Sequence, residues 1–204
     1  MGGRRRIDLI GMPTDVHSSF LRGPAKAPPL IRAALFSPHG NSASERGLEL
    51  GAEIDLNDCG DLPLIETPED DARITAAIDA SLLAGAIPIS LGGDHSITYP
   101  VIQAIAAHHG PIDILHLDAH PDLYDELDGD RRSHASPFAR IMEEGLARRL
   151  VQIGIRTLNK HQREQAERFG VEQLEMRDVG RVSFAFERPL YISIDLDGFD
   201  SVFA

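Results

Sequence analysis

The sequence predicts an α/β chain, a three-layer α/β/α arrangement around a mostly parallel sheet, on three observations. Apolar runs of four to six residues recur along the chain with few alternating polar positions, the pattern of strands buried on both faces. Helix-like stretches separate them, as the crossovers of a parallel sheet require. Finally, 204 residues with 42% hydrophobic content suffice for one domain, 1–204, with its own core. In order, Ile7 to Met12 reads as a first strand, and Lys26 to Phe36, after Gly23-Pro24, as a helix. Pro68 to Ala84 is a second helix, with Ile74, Ala77 and Ile78 on its apolar face and Gly85 as its stop. Ile87 to Leu91 is a strand, Ser96 to His109 a helix ending at Gly110, and Ile112 to Leu117 a strand. Helices Pro137 to Gly145 and Lys160 to Phe169 flank the strand Leu150 to Ile155, and Leu190 to Ile194 is the last strand. In such sheets ligands collect at the carboxyl ends of the strands.

Composition narrows the partners. A formal net charge of −12 argues against nucleic acid or an anionic membrane. No window is long and apolar enough to span a bilayer. The basic start Arg4-Arg5-Arg6 leads into Ile7-Asp8-Leu9-Ile10, interrupted by an aspartate and too short for a secretory signal. The single cysteine, Cys59, excludes an internal disulfide and suits a reducing cytosol. The expected location is cytoplasmic.

Three polar clusters follow three of the strands, where the fold rule places a site. They are Gly92-Gly93-Asp94-His95-Ser96, Asp118-Ala119-His120-Pro121-Asp122 and Asp195-Leu196-Asp197. In extended chain, residues i, i+2 and i+4 share a side, so Asp118, His120 and Asp122 can face one cavity, and Asp195 and Asp197 can do the same. Four converging carboxylates repel unless cations neutralise them, and two divalent ions carry the matching charge. Oxygen-rich ligation with a minority of imidazole suits manganese, although zinc, iron or cobalt could bind. Singly, each cluster is a turn or a solvated strand end; after three strands together they point to metal.

Leu-Gly-Gly-Asp-His-Ser (91–96), Leu-Asp-Ala-His-Pro-Asp (117–122) and Ser-Ile-Asp-Leu-Asp (193–197) resemble the signature motifs of the ureohydrolases, the arginase and agmatinase family. The stretch Ser133 to Arg140 and Val151-Gln152-Ile153-Gly154-Ile155-Arg156 look most like plant-type arginases. The resemblance implies an arginase-like fold and two Mn2+ with a hydroxide between them. His95 and Asp122 would bind one ion, His120 and Asp197 the other, and Asp118 and Asp195 would bridge the pair. It implies hydrolysis of a guanidino group to urea and an amine, from arginine or agmatine, in a protein that is usually homo-oligomeric. His134 resembles the family's loop histidine, a proton shuttle or substrate contact, and Asp122 or His134 would deliver the proton to the leaving amine. A solvated loop imidazole accounts for His134 as well. Asn159 stands where some arginases meet the substrate amino group, and a helix cap explains it equally. Asp94 could orient His95; His108, His109 and His116 read as structural.

After the third motif members of the family have Asp-Pro, whereas this chain reads Asp195-Leu196-Asp197-Gly198-Phe199-Asp200-Ser201. Members also continue past the equivalent of Ala204 with further strands and a guanidinium-binding glutamate. An incomplete carboxyl end, and weak or undetectable urea release from these 204 residues, are therefore expected. The alternatives are a metal-binding but inactive fragment, a one-zinc deacetylase of related fold, and a dinuclear metallophosphatase-like hydrolase. The last expects a Gly-Asn-His-Glu-type motif, which the chain lacks.

Overall fold

The computed structural model describes residues 4–180, 182–186, 189–200 and 202. They form two compact units, Met1–Ala104 and Ile105–Ala204. In the first, β1 (Arg5–Met12) is central, with β2 (Ile54–Asp61) and β3 (Ile87–Gly92) on either side, both parallel to it. Ile7, Leu9 and Gly11 align with Ile87, Ile89 and Leu91. Helices α1 (Ala27–Leu35) and α2 (Glu69–Leu83) contact β1 and β3. Leu9, Ile10, Met12, Ile74 and Ile78 are buried, so the apolar face read from the second helix is the face that packs. Helix α3 (Thr98–His109) carries the boundary between the units.

The second unit holds four parallel strands in the order β6-β5-β4-β7. These are β4 (Ile112–Leu117), β5 (Ala147–Ile155), β6 (Glu172–Glu175) and β7 (Leu190–Ile194). Helix α4 (Pro137–Glu143) contacts β5 and α5 (Lys160–Phe169). Ile112, Ile114, Leu123, Phe138, Ile141, Leu150 and Ile155 are buried with no measurable exposure. Burying a side chain of this size contributes about 1.5–3 kcal/mol, which makes this cluster the main source of the unit's stability. At the β7 edge Ile192 and Ile194 are exposed.

Every pairing between the named strands is parallel, so the α/β class expected from the apolar runs is the class observed. Two strands were not among the expected elements. β2 reads Ile-Asp-Leu-Asn-Asp-Cys-Gly-Asp and is largely exposed, and β6 reads Glu-Gln-Leu-Glu. Both lie at sheet edges, where one flank pairs and the other does not, and neither presents an apolar run.

Candidate metal centre

In the first unit the loop after β3 is defined by close backbone approach. A Cβ on Gly93 would lie 1.7 Å from the Thr14 carbonyl oxygen, so only glycine fits. The Gly93 and Asp94 amides donate to Met12 and Thr14 carbonyls at 3.2 and 2.9 Å. Asp94 then caps the one-turn helix His95–Ile97, accepting from the Ser96 amide at 3.0 Å, and also accepts from the His17 amide at 3.0 Å. Asp94 thus ties two loops together and sets the backbone that presents His95.

In the second unit three sequence-predicted ligands come together. Oxygens of Asp118 and Asp197 and a ring nitrogen of His120 lie within 4.8 Å of one another. His120 Nδ1 is 3.0 Å from Asp197 Oδ2 and 3.5 Å from Asp118 Oδ1. Asp118 is buried, whereas His120 and Asp197 face solvent. The alternation expected of these residues is not how they converge. β4 stops at Leu117 and β7 at Ile194, so every candidate here sits in the turn that follows a strand. Asp195 caps the one-turn helix Leu196–Gly198 and accepts from the Asp197 amide at 3.1 Å. Asp122 is buried and holds a left-handed φ of 48°, its carbonyl accepting from the Phe138 amide at 3.2 Å.

Two glycines let neighbouring chain press against Asp118. A Cβ on Gly154, at φ +96°, would sit 3.1 Å from the Asp118 carbonyl oxygen, and one on Gly198 3.1 Å from the Asp118 Cα. Gly198 therefore has a steric role in this chain.

Hydrogen bonds to Asp118 and then Asp197 push the His120 pKa up to about 10, against the opposing effect of burial, with the charges of Asp197 and Asp122 adding to the rise. An imidazolium between carboxylates answers the same charge demand that a divalent cation would, and the donors are hard oxygen with one imidazole. The residues therefore fit a metal of the manganese or zinc type.

His134 is half-buried in the loop before α4, next to the buried Ser133. Asn159 is exposed; its Oδ1 accepts from the Gln162 amide at 2.9 Å as the cap of α5, and its Nδ2 donates to the Tyr124 hydroxyl at 2.5 Å. His116, read from the sequence as structural, has its Nε2 2.7 Å from Asp118 Oδ2. The available signal was an imidazole in the middle of an otherwise apolar strand.

A parallel α/β framework with an Asp/His cluster at strand ends is an arrangement able to hold a divalent cation. The arginase family model matches residues 5–204, and the chain belongs to that family. It is 47% identical over 225 residues to mitochondrial arginase 1 of Arabidopsis thaliana, covering 100% of this chain and 64% of that protein. It is 35% identical to the mitochondrial agmatinase of Gallus gallus, covering 96% of this chain and 62% of the relative. The arginase structure from Medicago truncatula superposes with a TM-score of 0.82 at 43% identity, covering 86% of this chain and 58% of that one. The chain thus spans somewhat under two thirds of the length of these relatives. Their names correct one expectation: the similar plant and animal enzymes are mitochondrial, so the cytoplasmic location is not supported. Charge and cysteine count report on solubility and redox chemistry, whereas an organelle address is read by a receptor from a separate signal. No helix among the described residues is long and apolar enough to cross a membrane.

Proposed function

We propose that the protein is a dinuclear manganese ureohydrolase that cleaves arginine to urea and ornithine. The observation that carries this reading is the Asp118–His120–Asp197 cluster in a chain of the arginase family. By the family resemblance, His120 and Asp197 would hold one ion, His95 and Asp122 the other, and Asp118 and Asp195 would be shared. Bound divalent ions supply Lewis acidity, which makes water a nucleophile at neutral pH. The protein's own side chains do the rest. Asp118 is held by buried hydrogen bonds, so its oxygens are set before any ion arrives. His120 must release its proton to become a ligand, which couples metal uptake to proton release. His134 and Asp122 are the candidates to return a proton to the leaving amine. Identity of 47% to an arginase against 35% to an agmatinase favours arginine over agmatine.

Metal analysis after dialysis against manganese should find two ions per chain, with Asp118→Asn losing both. Any urea released should depend on manganese and come from arginine in preference to agmatine. A chain that binds no manganese, or binds it equally well as Asp118→Asn, would overturn the reading.

A further inference from the structure

We propose that His116 is a positioning residue for the carboxylate Asp118, its Nε2–H held on Asp118 Oδ2 by an amide relay through the buried Gln152 and the half-buried Gln173. The inference rests on the reading of Asp118 as a metal ligand given above. Strand register supplies the first observation. Ser193, His116, Gln152 and Gln173 are aligned across β7, β4, β5 and β6, one polar residue per strand at a single level of the sheet. His116 and Gln152 have no exposed surface and Ser193 is buried. A parallel sheet fills this level with Val, Ile or Leu by default. A buried polar row is costly unless each member is satisfied, so its presence calls for a function.

Hydrogen-bond accounting fixes the direction of the relay. Gln173 Nε2 donates to Gln152 Oε1 at 2.8 Å, so the Gln152 amide nitrogen points the other way. That nitrogen has two hydrogens. One goes to the Pro121 carbonyl at 2.6 Å, and the other meets His116 Nδ1 at 3.1 Å. His116 Nδ1 must therefore accept, and the ring proton resides on Nε2, 2.7 Å from Asp118 Oδ2. The Phe138 ring, 4.2 Å from the imidazole centroid, packs against it. Asp118 Oδ1 accepts in turn from the His120 amide at 2.6 Å. Asp118 thus takes a donor on each oxygen, the His116 ring on Oδ2 and the His120 amide on Oδ1.

The test uses the whole chain, with manganese removed by chelation and then titrated back. Histidine labelled with nitrogen-15 should show one ring in the Nε2–H tautomer, assigned to His116 by its loss in His116→Gln. Gln152→Leu should weaken that tautomer's preference. His116→Phe should lower manganese affinity by about 10–100-fold, the usual cost of losing a group that orients a ligand. His116→Gln, which keeps a donor near the Nε2 position, should recover most of that loss. An Nδ1–H tautomer in the unaltered chain, or full manganese affinity in His116→Phe, would overturn the proposal. Should His116→Phe fail to fold, the tautomer decides. If the unaltered chain bound no manganese, the functional reading would fail, while the tautomer would still report on the relay.

Discussion

Gly154 shows how much of the site depends on one missing methyl group. Its φ of +96° is a conformation that side chains other than hydrogen rarely adopt, and its α-carbon faces the Asp118 carbonyl oxygen. Gly154→Ala should therefore cost about 1–3 kcal/mol in denaturant unfolding, from backbone strain and the tight contact together. Because the displaced group is the Asp118 peptide, manganese affinity should fall in the same variant. A Gly154→Ala chain with unchanged stability would show that the strand bends freely here. Three of the six candidate ligands, Asp118, His120 and Asp197, do lie together, as the placement of their clusters after strands suggests. Side-chain alternation is not what brings them together, because it holds only inside a strand and these residues follow strand ends. His116 reads only as structural in the sequence because a lone imidazole in a strand carries no motif; its surroundings are set by its register partner on β5.

Among the elements, α5 depends most visibly on one side chain. Asn159 satisfies the Gln162 amide at its start, and Gly170, at φ 65°, ends it in the left-handed conformation. Asn159→Ala should destabilise the chain by about 0.5–2 kcal/mol, the ordinary cost of losing a cap. Asn159→Ser, which retains an oxygen acceptor, should restore most of it. If Asn159 instead acts mainly on substrate, both variants would unfold like the parent and differ only in KM. Nearly every apolar strand and helix could be read from the sequence to within a residue or two at most ends. Strand β5 begins earlier than expected because Ala147-Arg148-Arg149 hides its pairing behind basic side chains, Arg148 bonding Asp113 at 2.8 Å and Arg149 bonding Glu172 at 2.6 Å. β2 and β6 were invisible for a related reason: at an edge, backbone pairing suffices and the side chains stay polar.

For the molecule as a whole, the buried carboxylate Asp8 predicts how acid acts. Burial alone would raise its pKa, but hydrogen bonds from Asn57, Ser81 and Arg6, with the charge of Arg6, hold it below its ordinary value of 3.8. The Ser81 and Asn57 bonds are both 2.8 Å and join Asp8 of β1 to α2 and β2. A depressed folded pKa contributes stability above the unfolded value and loses it as pH falls through the folded one. The first unit should therefore keep this contribution at neutral pH and lose it below about pH 4, where the unfolded carboxyl starts to bind protons. Acid titration followed by circular dichroism should show a shallower loss in Asp8→Asn than in the parent over that range. Equal slopes would mean that other groups control acid unfolding.

The left-handed backbone of Asp122 carries a different kind of consequence, one about selection. Glycine would occupy φ 48° without strain, yet an aspartate stands there, buried and tied to the start of α4 through its carbonyl. A screen that rewarded thermal endurance alone would have reason to accept Asp122→Gly, since it relieves strain of about 1 kcal/mol or more at that position. The same exchange removes a carboxylate proposed to hold a cation. Asp122→Gly should thus melt no lower than the parent once manganese is chelated, and gain less than the parent when manganese is returned. If it melted lower under both conditions, the aspartate would be serving the fold. If it gained as much from manganese, the carboxylate would be dispensable for binding. The expected pattern marks residue 122 as a place where backbone comfort gives way to what the side chain holds.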